Sequence, residues 1–148
     1  MKISSKGRYG IAAMISISNS YENNEYITII SIAEKLGISK IYLEQVFSLL
    51  KRANLVISVK GAQGGYQLSK SPNDITAFDI LNAIETSLFE KTDASVSSNA
   101  IHIEKSMNLL IWDELDKAVY NTLTSITLND LAEEANRYTE ATDIMFYI

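Results

Sequence analysis

Apolar residues recur along most of this chain every three or four positions, the mark of helices with one buried face, and alternate in only one short stretch. From residue 3 to about 20, Ile11, Ile15 and Ile17 fall among Tyr9, Ala12, Ala13 and Ser16 closely enough to form one apolar face. Ile29, Ile32, Ala33 and Leu36 follow at i, i+3, i+4 and i+7, with Thr28 placed to cap that helix. Gly37 is placed to end it in a left-handed conformation. Ser39 can then cap another helix, from about Lys40 to Ala53, with Leu43, Val46, Phe47 and Leu50 inward. Helix, short glycine-containing turn, helix is the helix-turn-helix pattern.

The alternating stretch comes next. Asn54 is a suitable residue for the helix end, and Leu55, Ile57 and Val59 then stand at period two. Gly61-Ala62-Gln63-Gly64-Gly65 breaks the strand, and Tyr66 and Leu68 resume it on one face. This predicts a β-hairpin with Lys60 at its base, and tip glycines let backbone N–H groups approach phosphates closely. A nucleotide-binding P-loop is excluded, because no Gly-Lys-Ser/Thr follows and the context is strand to strand. Such a hairpin directly after a helix-turn-helix makes a winged helix.

Ser71-Pro72-Asn73-Asp74 predicts a turn, and Thr76 with Asp79 a capping box opening a helix to about Glu85, with Ile80, Leu81 and Ile84 inward. Residues 86–100 are polar and serine-rich, a linker. From Ile101 to Leu123 a stripe of Ile103, Met107, Leu110, Ile111, Leu115, Ala118, Val119 and Leu123 predicts one long helix. So small a protein has little core left for it to cover, so the stripe is expected to meet a second subunit, with packing on its own winged helix as the alternative. Thr127 opens a last amphipathic helix. The expected organisation is a winged-helix domain at 1–85, a linker at 86–100, and a dimerisation helix, C-terminal helix and tail at 101–148. The fold class is mainly α with a small β-hairpin wing.

Charge adds the partner. The net charge of −5 conceals a division: residues 1–70 hold nine Lys and Arg against four Glu, a net +5, while residues 71–148 hold four against fourteen Asp and Glu, a net −10. A basic half suits a polyanion. Lys2, Lys6 and Arg8 sit at the start of the first helix, where cations oppose the helix dipole, and this suits them to gripping phosphate, with solvated surface charge as the alternative. The outer face of the 40–53 helix offers Lys40, Ile41, Glu44, Gln45 and Ser48 near the end that enters the major groove in helix-turn-helix proteins. Gln45 can pair with adenine, Glu44 can accept from the cytosine amino group, and Ile41 can touch a thymine methyl. A basic face meeting an acidic protein is the competing reading.

Other chemistry is thin. The chain has no cysteine, which removes disulfides, thiolate metal sites and cysteine-ligated iron–sulfur clusters, and its single histidine, His102, has no evident metal partners. No nucleophile–base pair points to an enzyme, and neither a metal nor a cofactor is expected. No run is long and apolar enough to span a bilayer, and the N-terminus does not read as a secretory signal, so a cytoplasmic protein without membrane contact is expected.

Ser5-Lys6-Gly7-Arg8-Tyr9-Gly10, Ile32-Ala33-Glu34, Tyr42-Leu43-Glu44-Gln45, the wing from Val59 to Leu68, and Asp79-Ile80 occur in this order. With them the chain resembles, along its whole length, the small winged-helix regulators of the IscR/NsrR/CymR family. The resemblance implies a homodimer paired through the long helix on an imperfect DNA palindrome. It implies base contacts near Tyr42, Glu44 and Gln45, and phosphate or minor-groove contacts from Lys60, Gln63, Gly64 and Gly65. Tyr9 and Ser39 join the same interface. Cluster-binding members carry three cysteines before the dimer helix, where Leu88 to Glu104 here has none. The chain is therefore more similar to the family's cluster-free repressors of cysteine metabolism, whose corepressor is cysteine synthase (O-acetylserine thiol-lyase). The ending Met145-Phe146-Tyr147-Ile148 is similar to theirs. One hypothesis is that the apolar tail of Phe146, Tyr147 and the terminal Ile148 carboxylate inserts into the synthase active site; packing against the dimer helices is the alternative. A cluster-free regulator answering another stress signal remains a further alternative.

Overall fold

Ser4 starts the first helix: its hydroxyl accepts the Gly7 N–H at 3.1 Å, and α1 runs from Ser5 to Ser18. In this computed structural model the described residues are 1–62 and 64–147, with side chains described as far as Thr142. The Gln63 and Ile148 assignments lie outside them, as do the side chains of Phe146 and Tyr147. α2 (Ile29–Leu36) is capped by Thr28 and closed by Gly37 at φ 66°, and α3 (Lys40–Arg52) is capped by Ser39. All three caps follow from residue type: a short hydroxyl side chain supplies the acceptor that the first N–H groups lack. Nothing stands within 4 Å of a Cβ built on Gly37, so its constraint is purely the left-handed backbone. Gly37→Ala is therefore expected to cost about 1–2 kcal/mol in chemical denaturation while leaving duplex affinity of the folded protein unchanged.

The expected hairpin is present, antiparallel, with β1 (Val56–Val59) paired to β2 (Gly65–Leu68) in the register Val56 to Leu68 and Val59 to Gly65. Its buried face is not the one that the period-two apolar residues form. Leu55 and Val56 are buried, whereas Ile57 and Val59 are exposed, so the apolar alternation does not mark the inward face. Asn54, at φ 60°, turns the chain just before the strand, and Leu55 belongs to that turn rather than to the ladder. The core face is then Val56, Ser58, Tyr66 and Leu68. A further bridge pairs Ile27 with Tyr66 through two N–H···O bonds of 2.8 Å, tying the wing to the residue before the α2 cap.

α4 (Ala77–Ile84) opens with the capping box of Thr76 and Asp79. The segment from Ile101 to Thr124 is one helical rod, but not one α-helix. It consists of α5 (Ile101–Met107), a π-helical turn at Asn108–Trp112 and α6 (Asp113–Thr124). The Asp113 N–H reaches back five residues to the Asn108 carbonyl. α7 (Leu128–Tyr147) begins with Thr127 and Asp130 bonded reciprocally, backbone to side chain, at 2.9 and 3.0 Å.

One core holds these elements together. Met14 and Ile17 of α1, Ile32 of α2, and Leu43, Val46, Phe47 and Leu50 of α3 pack with Ile80 of α4 and Leu128 of α7, each nearly or fully buried. The C-terminal segment thus contributes to the winged-helix core. Backbone bonds from Ala77 N–H to the Ile126 carbonyl and from Leu128 N–H to the Ile75 carbonyl fix that junction. The polar segment before the rod is tied at two points. Phe89 packs on Phe78 with ring centres 4.7 Å apart, and one Glu104 carboxylate oxygen accepts the Ser95 and Val96 N–H groups. The other Glu104 oxygen is buried without a hydrogen-bond partner.

Candidate nucleic-acid interface

α3 is the centre of the candidate site because burial sorts its residues so sharply. Leu43, Val46, Phe47 and Leu50 point into the core, which turns Lys40, Ile41, Glu44, Gln45 and Ser48 outward. Ile41 is 71% exposed, an apolar side chain held in water next to polar neighbours. Lys40 and Glu44 stand one turn apart, with Nζ 3.8 Å from the carboxylate and both side chains about half exposed. The pair offsets the charge of Glu44, so an acid on this face is less repulsive to a polyanion than it would be alone. The Ser39 hydroxyl is already occupied, accepting the Tyr42 N–H at 3.2 Å as the helix cap. Its contribution to the site is therefore to fix the start of α3.

The basic N-terminus is brought to this helix. Tyr9 and Tyr42, both half-buried, meet edge to face with ring centres 5.2 Å apart. That contact sets the start of α1 beside the start of α3. Lys2 and Arg8 are exposed and Lys6 is half-buried; the Arg8 guanidinium also donates to Ser5 Oγ at 3.0 Å. Glu85, which caps the end of α4, accepts hydrogen bonds from the backbone N–H and the hydroxyl of Ser4. It also fills the space beside Gly7: a Cβ there would stand 2.5 Å from the Glu85 carboxylate. Sequence reading missed this anchor, since a glutamate after the last apolar residue of a helix usually signals only solvent. The sequence signal was Gly7, where a side chain would displace it.

The wing stands at the other end of α3. Phe47 and Tyr66 pack with ring centres 4.5 Å apart and planes tilted by 37°, and Lys51 Nζ donates to Ser58 Oγ at 2.7 Å, so helix and hairpin hold a common orientation. Lys60 is exposed at the end of β1. The two glycines expected to present N–H groups to phosphate are placed differently. Gly64 is buried and donates its N–H to the Gly61 carbonyl. Gly65, at φ 148°, lies where a Cβ would stand 2.4 Å from the Ile27 carbonyl oxygen, so glycine here permits the bridge to Ile27. Among the described residues of the tip, Gly61 and Ala62 are exposed.

Lys2, Arg8, Lys40, Ile41, Glu44, Gln45 and Lys60 therefore all reach solvent, on the basic N-terminus, α3 and the wing. The expected dimer residues lie elsewhere, on the rod: Ile103, Leu110, Ile111 and Leu115 are exposed, and Met107 and Val119 half-buried. His102 is exposed on α5, and no cluster of His, Cys, Asp and Glu able to hold a metal occurs among the described residues. No described helix is long and apolar enough to cross a membrane.

Comparison with known proteins gives the family. Residues 3–134 match the family model Rrf2, described as iron-dependent transcriptional regulator. The regulator CymR of Bacillus subtilis is 37% identical over 148 residues, the whole of both chains. The regulator IscR of Photobacterium profundum is 33% identical, over 92% of this chain and 78% of that protein. Among solved structures, that of CymR, described as the global cysteine regulator of B. subtilis, superposes with a TM-score of 0.75 at 36% identity, covering 90% of this chain and 98% of that one.

Proposed function

Since this chain belongs to the Rrf2 family of transcriptional regulators and has the winged-helix fold of its relatives, we propose that it is a homodimeric repressor of cysteine or sulfur metabolism genes that works without an iron–sulfur cluster. Regulation through DNA follows from the family. The observation that carries the finer reading is full-length similarity to a cysteine regulator combined with the absence of any cysteine in this chain. Iron–sulfur clusters are held mainly by cysteine thiolates, and this chain has no cysteine. The signal then comes from outside the chain, and cysteine synthase is the partner proposed, with the C-terminal tail as its handle. The site of action is the cytoplasm.

On the duplex, α3 enters the major groove, and Gln45, Glu44 and Ile41 read base edges. Lys2, Lys6, Arg8 and Lys60 hold phosphate oxygens and set the register. Two protomers related by a two-fold axis present two such helices to an imperfect palindrome. Selecting bound genomic fragments, with and without cysteine synthase, tests this reading. Recovered sites should be palindromic, lie before sulfur genes and change in occupancy with the synthase. Enrichment of unrelated genes with no effect of the synthase would reject the cysteine assignment and leave the DNA-binding one. On a recovered site, Gln45→Ala is expected to relax preference at one base position by roughly 1–3 kcal/mol. Lys60→Ala should weaken all sequences alike and lower the salt slope by about 1. Competition titrations with matched and mismatched duplexes measure both.

A further inference from the structure

Two charges stand at the wrong ends of their own helices and meet each other. Lys2, Lys6 and Arg8 crowd the N-terminal end of α1, the positive pole of its dipole, and the first turn of α1 holds no acid to offset them. Glu85 stands at the C-terminal end of α4, the negative pole of that helix, whose last turn holds no base. Packing brings the two ends together. The half-buried Glu85 reaches the first residues of α1, where its carboxylate accepts the Ser4 N–H at 3.0 Å and also the Ser4 hydroxyl. α1 thus receives its negative partner from α4.

Two glycines allow the approach. Gly7 and Gly10 are buried where α1 meets α4: a Cβ on Gly7 would stand 2.5 Å from the Glu85 carboxylate, and one on Gly10 would overlap the Ile84 side chain. Among the described residues, neither Glu85 nor any of the three cations forms an ion pair. The carboxylate is engaged by Ser4 rather than by a cation, which leaves Lys2, Lys6 and Arg8 to meet an anion from outside.

Ser4 transmits the effect. It is the last extended residue before α1, at φ −61° and ψ 157°, and its carbonyl accepts the first helical N–H, from Arg8, at 3.1 Å. Lys6 and Arg8 lie beyond it and are held by the helix. Lys2 lies before it, exposed, on three residues that belong to no helix. Pinning Ser4 gives Lys2 a direction before DNA arrives, so less freedom is lost when it meets a phosphate.

We propose that Glu85 is the positioning residue of the phosphate grip, an acid that strengthens binding to a polyanion by holding Ser4 and, through it, Lys2. This rests on the DNA reading above. Charge alone predicts the reverse: removing an acid near DNA should tighten binding and leave the number of phosphate contacts as it was.

Anisotropy titrations over a range of salt, with the full chain and a genomic duplex selected as above, separate the two. Glu85→Ala is expected to lower the salt slope by about 1 per protomer and to weaken binding roughly tenfold per protomer at 0.1 M salt, one phosphate lost from each arm. Gly7→Ala keeps every charge and suits a helix, but it displaces the carboxylate, so it should lower the slope equally and carries the test if Glu85→Ala does not fold. Glu85→Gln keeps an acceptor for Ser4 and should restore the original slope. Lys2→Ala should lower the slope of the unaltered protein and make no further difference in Glu85→Ala. A steep response in the unaltered protein with the same slope in Glu85→Ala and Gly7→Ala would overturn the inference and keep the DNA reading. So would additive losses with Lys2→Ala, or a Glu85→Gln slope as low as that of Glu85→Ala. A flat response in the unaltered protein would overturn both.

Discussion

Binding to a palindromic duplex is expected to fall about 10³–10⁵-fold between 50 and 200 mM salt, the response of a protein that neutralises ~6–10 phosphates and releases their counterions. The cations assigned to phosphate lie on two separate elements, Lys2, Lys6 and Arg8 near the N-terminus and Lys60 on the wing, and doubling them in a dimer reaches that range. Net charge predicts the opposite. At −5 the molecule as a whole is repelled by DNA, so a steep salt dependence would show that the distribution of charge, not its sum, governs the encounter. Fluorescence anisotropy titrations at four or five salt concentrations give the slope directly. A flat response would rule out the phosphate grip and favour a basic face that docks on an acidic protein.

Phe47→Ala is expected to cost about 3–5 kcal/mol, a large part of the ~5–15 kcal/mol available to a domain. Phe47 is fully buried among residues of α1, α3 and the hairpin, and its ring packs at a tilt on Tyr66. Truncation removes the transfer energy of the ring and leaves a cavity between the recognition helix and the wing. Two losses should therefore appear separately. Urea unfolding should shift to lower midpoint with little change in slope. Duplex affinity of the protein that remains folded should fall as well, because Tyr66 is the residue through which the wing is bonded to Ile27 and packed against α3. A change under about 1 kcal/mol, with unaltered DNA binding, would mean that the wing is positioned by the Lys51–Ser58 contact and the Ile27 bridge alone.

The features legible in sequence were those encoded by neighbours in the chain. Thr28, Ser39 and Thr76 cap helices because a hydroxyl three residues ahead of an N–H needs no tertiary partner, and Gly37 and Asn54 end helices for an equally local reason. The core face of α3 was legible for the same cause: a 3.6-residue period leaves few choices for Leu43, Val46, Phe47 and Leu50. What escaped was set across the fold. The inward face of β1 depends on how the Asn54 turn hands the chain to the ladder, which overrides the apolar alternation of Leu55, Ile57 and Val59. The Glu85 anchor joins residues 81 positions apart. Of the candidate site, the polar face of α3 was readable, whereas the structural duty of Gly64 and Gly65 came from contacts with Gly61 and Ile27 that no spacing rule announces.

The turn at Asn108–Trp112 sets a rule for chain length. A π-helical turn absorbs one residue more than an α-helix needs to join the same two ends, while keeping the side chains on either side in phase. A relative shorter by one residue at this point would therefore carry an unbroken α-helix, yet still set Tyr120 against Phe78 and Glu104 beneath the Ser95 and Val96 amides. A single deletion a few residues later, within α6, has no such slack. It would turn everything beyond it by about 100° and strip Tyr120 from its ring partner. Sequence alignments within this family should accordingly place a lone gap at 108–112 and tolerate none between 113 and 119.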